Sequence, residues 1–115
     1  MARKLHNDVE IDDFIAKVIG EALHHAPEVS QVIQSLSDAV RARLLLTRDD
    51  VSVYERNGNL ARTCWVTRAG RRHVFTYNYT TKQIDLRSGT LRGTLVASFD
   101  NATSQSVLGQ IVSGL

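Results

Sequence analysis

The chain has 115 residues, a formal net charge of +2, 43% hydrophobic residues and 23% charged residues. Its length is close to the commonest size of one domain and its composition is close to the globular average, which excludes two full hydrophobic cores and a wholly disordered chain. We therefore expect a single domain over residues 1–115.

The cysteine count and the apolar runs limit the compartment. Cys64 is the only cysteine, which excludes an intramolecular disulfide and a zinc site built from several cysteines. No apolar run follows the basic residues near the N-terminus, and the longest uncharged apolar run, at 44–46, is much shorter than a membrane span. These features favour a cytoplasmic protein that does not contact a membrane.

Charge is distributed unevenly along the chain. Residues 1–50 contain six Lys or Arg and nine Asp or Glu, whereas residues 51–99 contain eight Lys or Arg and only two acidic residues, Glu55 and Asp85. The first segment is therefore acidic and the second strongly basic, although the whole chain is close to neutral.

The first 50 residues predict two amphipathic helices, because apolar residues recur there at the three-and-four spacing of one helical face. Asn7 or Asp8 can cap the first helix. Pro27 ends that helix and can open the second, since a position in the first turn needs no backbone N–H. The apolar stripes consist of Ile11, Phe14, Ile15, Val18, Ile19, Ala22 and Leu23 in the first helix and of Val29, Val32, Ile33, Leu36, Val40 and Leu44 in the second.

From Val51 the apolar period changes from 3.6 toward 2, and β-branched and aromatic residues become frequent, which is typical of strands. Asn57 and Gly58 both accept the positive φ of a type I′ turn and predict a two-residue hairpin. Ala69 and Gly70 predict a second turn. We expect five antiparallel strands in meander order, at 51–56, 59–68, 72–80, 83–87 and 91–99.

A last amphipathic helix is predicted after residue 104. Residues 100–104 form a cluster of N-cap residue types, and apolar residues from Val107 to Leu115 follow at helical spacing. The fold class is therefore α+β: two N-terminal helices, a meander of about five strands and a C-terminal helix. A sheet with one apolar face must cover that face, so we expect a two-layer sandwich, or a curved sheet that is filled by the helices and encloses a pocket.

Arginines interleaved with aromatic rings make the meander a candidate surface for an anionic partner. The arginine guanidinium forms bidentate hydrogen bonds with phosphates and stacks on bases. Sheets that bind single-stranded nucleic acid combine such charges with exposed aromatic rings. The competing interpretation is a solvated face that pairs partly with the acidic helices. The predicted contact residues, for nucleic acid or an acidic protein, are Arg62, Arg68, Arg71, Arg72, Arg87 and Arg92.

The alternating residues of the third predicted strand suggest another function. His73, Tyr77 and Tyr79 share one face with Phe75, and a face with several rings is usually buried. Buried tyrosine hydroxyls and a buried imidazole would need polar partners. The alternative function is therefore small-molecule binding or catalysis in a cone-shaped pocket. The residues predicted to line it are Trp65, His73, Tyr77 and Tyr79.

Motifs for catalysis, nucleotide binding or metal binding do not occur. The four histidines lack metal-ligand spacing, and the glycines at 89 and 93 are not followed by the Lys-Ser/Thr of a phosphate loop. We therefore predict a binding protein rather than an enzyme, with no cofactor and no metal. Because sheet edges without prolines or inward-pointing charges pair readily with a second copy, we also expect a homodimer, which in a third hypothesis is purely structural or regulatory.

Overall fold

The computed structural model describes the backbone of residues 2–44, 49–56 and 59–115, and the side chains of residues 4–44, 49–53 and 63–115. Helices lie near both ends of the chain and strands lie between them. In chain order the elements are β1 (Ala2–Leu5), α1 (Asp8–His25), a short 3-10 helix (Pro27–Val29), α2 (Val32–Arg41), β2 (Asp50–Arg56), β3 (Asn59–Arg68), β4 (Arg71–Asn78), β5 (Gln83–Ser88), β6 (Leu95–Phe99) and α3 (Gln105–Ser113).

The six strands form one open antiparallel sheet in the order β1-β2-β3-β4-β5-β6. The register aligns one row of inward residues across five of the strands: Val53, Cys64, Phe75, Leu86 and Ala97. Successive side chains in a strand point to opposite faces, so the neighbouring residues of each strand belong to the outer face. All three helices cover the inner face, which makes a two-layer structure.

Within the described residues the core consists of two clusters of buried residues, and Ile15 and Val18 pack against both. One contains the buried residues of α2, α3 and the last strands, among them Leu36, Phe99 and Leu108. The other lies at the opposite side, where Leu5 and Phe14 pack on β2. Burial of large apolar side chains contributes about 1.5 to 3 kcal/mol each, so these clusters supply most of the driving force for packing the helices on the sheet.

Ion pairs hold α1 and α2 side by side in opposite directions. Arg41, in the last turn of α2, pairs with Asp12 at 2.5 Å and with Asp8 at 3.2 Å, both in the first part of α1. The two carboxylates raise the pKa of Arg41, chiefly through the hydrogen bond from its guanidinium to Asp12. Because both acids are largely exposed, the contribution to stability is small, but the contact keeps the two helix ends together.

A long-range cap joins the β6–α3 loop to α2. The Asn101 side-chain oxygen accepts hydrogen bonds from the backbone N–H groups of Gln31 at 2.8 Å and Val32 at 3.0 Å, and its amide nitrogen donates to the Pro27 carbonyl at 2.7 Å. The first N–H groups of a helix have no partner within the helix, so α2 receives its cap from a residue about 70 positions away. Ser104, not Asn101, caps α3, through a bond from the Val107 N–H.

The α+β class is confirmed, but the predicted strand count is wrong. The described residues form six strands because the N-terminal segment Ala2–Leu5, which is too short to show a periodic pattern, pairs with β2. The last strand begins at Leu95 rather than at residue 91, since a tight loop around Gly93 follows β5. The second helix is split into a 3-10 turn and α2. The predicted turn at Asn57 and Gly58 lies outside the described residues.

Within the ranges described, no helix is both long enough and apolar enough to span a membrane.

Candidate functional site

A half-open cavity of about 170 Å³ is lined by residues of both core clusters. It lies between the paired helices α1 and α2 on one side and the inner face of the sheet on the other. Most of the residues that line it are apolar: Leu5, Ile11, Phe14, Ile15, Val18, Ala22, Ala26, Val29, Ile33, Leu36, Val40, Leu44, Val51, Val66, Phe75 and Ile84, with the more polar Glu21, His25, Ser37, Arg41, Thr63, Cys64, Thr76 and Tyr77.

The apolar stripes of the helices explain why the lining is apolar. Phe14 and Val18 on α1 and Ile33 and Val40 on α2 all occupy the inward side of their helices. On the sheet the opposing residues include the small side chain of Cys64. The larger Phe75 and Ile84 also belong to the sheet side of the lining, so both walls of the cavity are mainly apolar.

Ser37 is the unusual polar residue of the lining. It lies on the buried side of α2, one turn after Ile33, and only 9% of its surface is exposed. Its hydroxyl oxygen has no hydrogen-bond partner among the described residues. A buried hydroxyl without a partner is unfavourable by about 1 to 3 kcal/mol, so natural proteins rarely retain one without a use for it.

Cys64 contributes a neutral sulfur to the sheet side of the cavity. Burial raises the pKa of its thiol to about 12, because the surroundings disfavour the thiolate. A thiol that stays protonated at neutral pH is a poor nucleophile. Cys64 therefore acts as a small apolar wall residue rather than as a reactive group.

The charged residues of the lining lie on the helices and not in the interior. Glu21 and His25 are exposed and lie one turn apart in the second half of α1. Arg41 is engaged by Asp8 and Asp12. The interior of the cavity is thus apolar and uncharged, apart from hydroxyl and thiol groups.

Of the four residues that were predicted to line a pocket, Tyr77 lines this cavity. Tyr79 follows the end of β4, is 61% exposed, and packs edge-on against Tyr77 with 5.1 Å between ring centroids. His73 lies on the inner face beside Val66 and outside the cavity lining; burial and the nearby Arg71 lower its pKa. Trp65 pairs with Val74 on the outer face.

The arginines that were predicted to bind an anionic partner differ in their contacts and in their surroundings. Arg68 points inward, where its guanidinium donates to the carbonyl of Arg43 at 3.1 Å and to that of Leu115. The Arg72 guanidinium lies 5.6 Å from the centre of the Trp65 ring. The side chain of Arg62 lies outside the described residues.

Arg71 and Arg92 are the exposed members of the set with the least internal engagement. Arg71 begins β4 and Arg92 lies in the β5–β6 loop. A hydrogen bond of 2.8 Å from the Gly89 N–H to the Arg72 carbonyl brings this loop next to the start of β4. These arginines therefore share one end of the sheet rather than one face.

A polar cluster occupies the outer face of the sheet. Asp85 is only 4% exposed and accepts hydrogen bonds from Asn78 at 3.0 Å and Ser98 at 2.8 Å. Arg87 approaches it at 3.8 Å and donates to the Gly93 carbonyl at 3.0 Å. These contacts satisfy the carboxylate and fix the β5–β6 edge, so the cluster is structural.

Nowhere in the described ranges do three or more His, Cys, Asp or Glu side chains come together to hold a metal ion.

Sequence reasoning missed Ser37, although a signal was present. Ser37 lies four residues after Ile33 and three before Val40, at a position where the apolar stripe of α2 would have another apolar residue. A polar residue in an apolar stripe is informative, because burial of an unpaired hydroxyl is unfavourable.

A family model described as "Integron cassette protein VCH_CASS1 chain" matches residues 11–109, which is most of the chain. The protein belongs to this integron cassette protein family. All residues that line the cavity, except Leu5, lie in the range that the family model matches. None of the curated proteins is significantly similar to the chain. The family description names no ligand and no reaction, so function has to be argued from the site.

Proposed function

We propose that this integron cassette protein binds a small apolar molecule in the cavity between the helix pair and the sheet. The observation that carries the proposal is the half-open cavity of about 170 Å³ beside the core, with its predominantly apolar lining. An unfilled space in a core lowers stability, because the surrounding side chains lose contacts. A ligand that fills the space would restore those contacts.

The volume sets the scale of the ligand. An engineered apolar cavity of about 150 Å³ in another protein accepts benzene, so the volume of this cavity is sufficient for a single small ring or a short branched chain. Binding is favoured over catalysis, because Glu21, His25 and Arg41, the charged lining residues, lie on the helices and away from the apolar interior.

The test measures thermal unfolding and methyl NMR spectra with benzene and other small neutral compounds. A ligand that binds only the folded state raises the free energy of unfolding by about 2.7 kcal/mol at 100 times its Kd, so the melting temperature should rise in a saturable way. Methyl resonances of residues such as Val18 and Ile33 should shift with the same saturation curve.

Val18→Phe and Val107→Phe are the matched variants. Val18 lines the cavity, whereas Val107 lies exposed on α3. We expect Val18→Phe to fill the cavity and abolish the ligand-dependent shifts, and Val107→Phe to retain them. Equal binding by both variants, or no binding of any compound to the unmodified protein, would contradict the proposal.

As a second function we propose binding of an anionic partner, nucleic acid or an acidic protein, at the end of the sheet that carries Arg71 and Arg92. This proposal is supported by the absence of an ion-pair partner for either side chain within the described residues. Replacing both arginines by alanine should weaken retention on single-stranded DNA. It should also reduce the dependence of binding on salt concentration by the amount expected for the loss of nearly two phosphate contacts, while Lys17→Ala on α1 should change neither property. Retention that does not depend on salt would contradict it.

We further propose that the protein forms a homodimer through β6, the strand at one edge of the sheet. The sequence of β6, Leu-Val-Ala-Ser-Phe, contains no charged residue and no proline. Leu95 and Val96 are about half exposed there. Natural sheets usually protect such edges with charges, prolines or short strands, so an unprotected edge favours pairing with a second copy.

A further inference from the structure

We infer that the ligand of the cavity is a neutral molecule with an apolar body and one hydrogen-bonding group, and that this group pairs with the Ser37 hydroxyl. The inference rests on the proposed small-molecule function and adds the chemical class of the ligand. A phenol or a small alcohol has this chemistry, whereas a plain hydrocarbon lacks the polar group and a carboxylate or an amine brings a charge.

The surroundings of Ser37 support a role in binding. A serine inside a helix commonly turns its hydroxyl to a backbone carbonyl of the preceding turn, which satisfies it locally. The Ser37 hydroxyl makes no such bond and has no other partner in the part of the chain that the structure describes. The residue is nevertheless buried and lines the cavity. A ligand atom in the cavity can supply the missing partner.

The other polar residues of the lining have hydrogen-bond or ion-pair partners in the protein or are exposed to solvent. Thr63 and Thr76 neighbour the inward Cys64 and Phe75, so their side chains turn to the outer face, where the two hydroxyls are 3.2 Å apart and bond to each other. Arg41 is paired with Asp8 and Asp12. The Cys64 thiol is a weak donor and a weak acceptor. Ser37 is therefore the lining residue whose hydrogen-bonding capacity is buried and unmet.

The ligand should be neutral because nothing in the interior would compensate a charge. Glu21 and His25 are exposed on α1. A charged group placed among apolar side chains without a counter-charge is strongly disfavoured, whereas a hydroxyl that finds one partner is tolerated. One neutral polar group on a small apolar body thus matches this lining.

The experiment compares phenol with benzene as probes of similar size, by NMR titration of the full chain. The unmodified protein should bind phenol about fivefold more tightly than benzene, as expected for one additional hydrogen bond between neutral groups. Ser37→Ala should remove this preference by weakening phenol binding, with benzene binding unchanged within about twofold. Ser106→Ala, an exposed serine of α3, is the matched control and should keep the preference.

Stability of the free protein provides a second readout. Removal of an unpaired buried hydroxyl relieves an unfavourable burial, so Ser37→Ala without ligand should melt at the same temperature as the unmodified protein or higher. A lower melting temperature would show that the hydroxyl already has a partner in the free protein and would overturn the inference.

The outcomes separate this inference from the function on which it rests. If benzene binds and phenol binds no better, or if Ser37→Ala weakens both probes equally, the inference is overturned while the cavity remains a binding site. If neither probe binds, the small-molecule function fails and the inference fails with it.

Discussion

At the scale of single residues, Gly93 shows how close backbone contacts limit the choice of side chain. A Cβ atom placed on Gly93 would lie 1.7 Å from the Ser88 carbonyl oxygen, a distance that no pair of non-bonded atoms can adopt. The same loop holds Arg87, which donates to the Gly93 carbonyl. Glycine is therefore required here because the backbone at position 93 packs directly against the Ser88 carbonyl group.

Gly93→Ala should lower the free energy of unfolding by about 1 to 3 kcal/mol, because the backbone around Ser88 must move to make room. Urea unfolding measures this change. Gly109→Ala is the matched control, because nothing lies within 4 Å of a Cβ atom placed on Gly109 in α3. That variant should be stabilised by about 0.5 to 1 kcal/mol, since alanine favours a helix over glycine. Equal effects of the two changes would contradict the steric explanation.

The residue scale also shows why the candidate site could be predicted only in part. Tyr77 was expected to line a pocket because it alternates with other inward residues of its strand, and it lines the cavity. Trp65 shares the strand pattern but lies on the outer face, under Arg72. Period-2 alternation says which residues lie on one face of a strand, but the register with the neighbouring strands decides which face meets the helices.

At the scale of elements, the contact between Asn101 and the start of α2 joins two segments that are about 70 residues apart in the chain. The Asn101 side chain accepts hydrogen bonds from the N–H groups of Gln31 and Val32 and donates one to the Pro27 carbonyl. The Asn101 N–H also donates to the Glu28 carbonyl at 2.8 Å. The segment before α3 is thus attached to the segment before α2, which places both helices on the same half of the sheet.

Asn101→Ala should destabilise the protein by about 2 kcal/mol or more, at the upper end of the range for loss of a helix cap. Asn7→Ala offers a local comparison, because Asn7 caps α1 through a single bond of 2.9 Å from the Glu10 N–H and is exposed. Its loss should reduce the free energy of unfolding by about 1 kcal/mol. Chemical denaturation of both variants checks the prediction, which is contradicted if the Asn101 variant is the more stable of the two.

At the scale of the whole molecule, the unprotected edge of the sheet is the feature that bears on assembly. The sheet is open, with β1 at one edge and β6 at the other. A second copy that pairs along β6 would cover Leu95 and Val96 and continue the sheet across a two-fold axis, the commonest symmetry of oligomers.

Val96→Lys should shift the protein toward a monomer, because a charge on an edge strand opposes pairing with another strand. Sedimentation velocity at several concentrations measures the change. Val107→Lys is the matched control, since Val107 is similarly exposed but lies on α3. Loss of the dimer with both variants would locate the interface elsewhere, and a monomeric unmodified protein would contradict the proposed dimer.

The sequence by itself determined the α+β class, the two amphipathic N-terminal helices, the meander order of β2 to β6 and the last helix. These follow from local periodicity and turn chemistry, which act over a few residues and are visible in the chain. The pairing of β1, the cap from Asn101, the inner face of the sheet and the cavity with Ser37 were decided only by the tertiary structure. They depend on which distant segments meet and on how completely their side chains fill the space between two layers, and neither is encoded in the spacing of neighbouring residues.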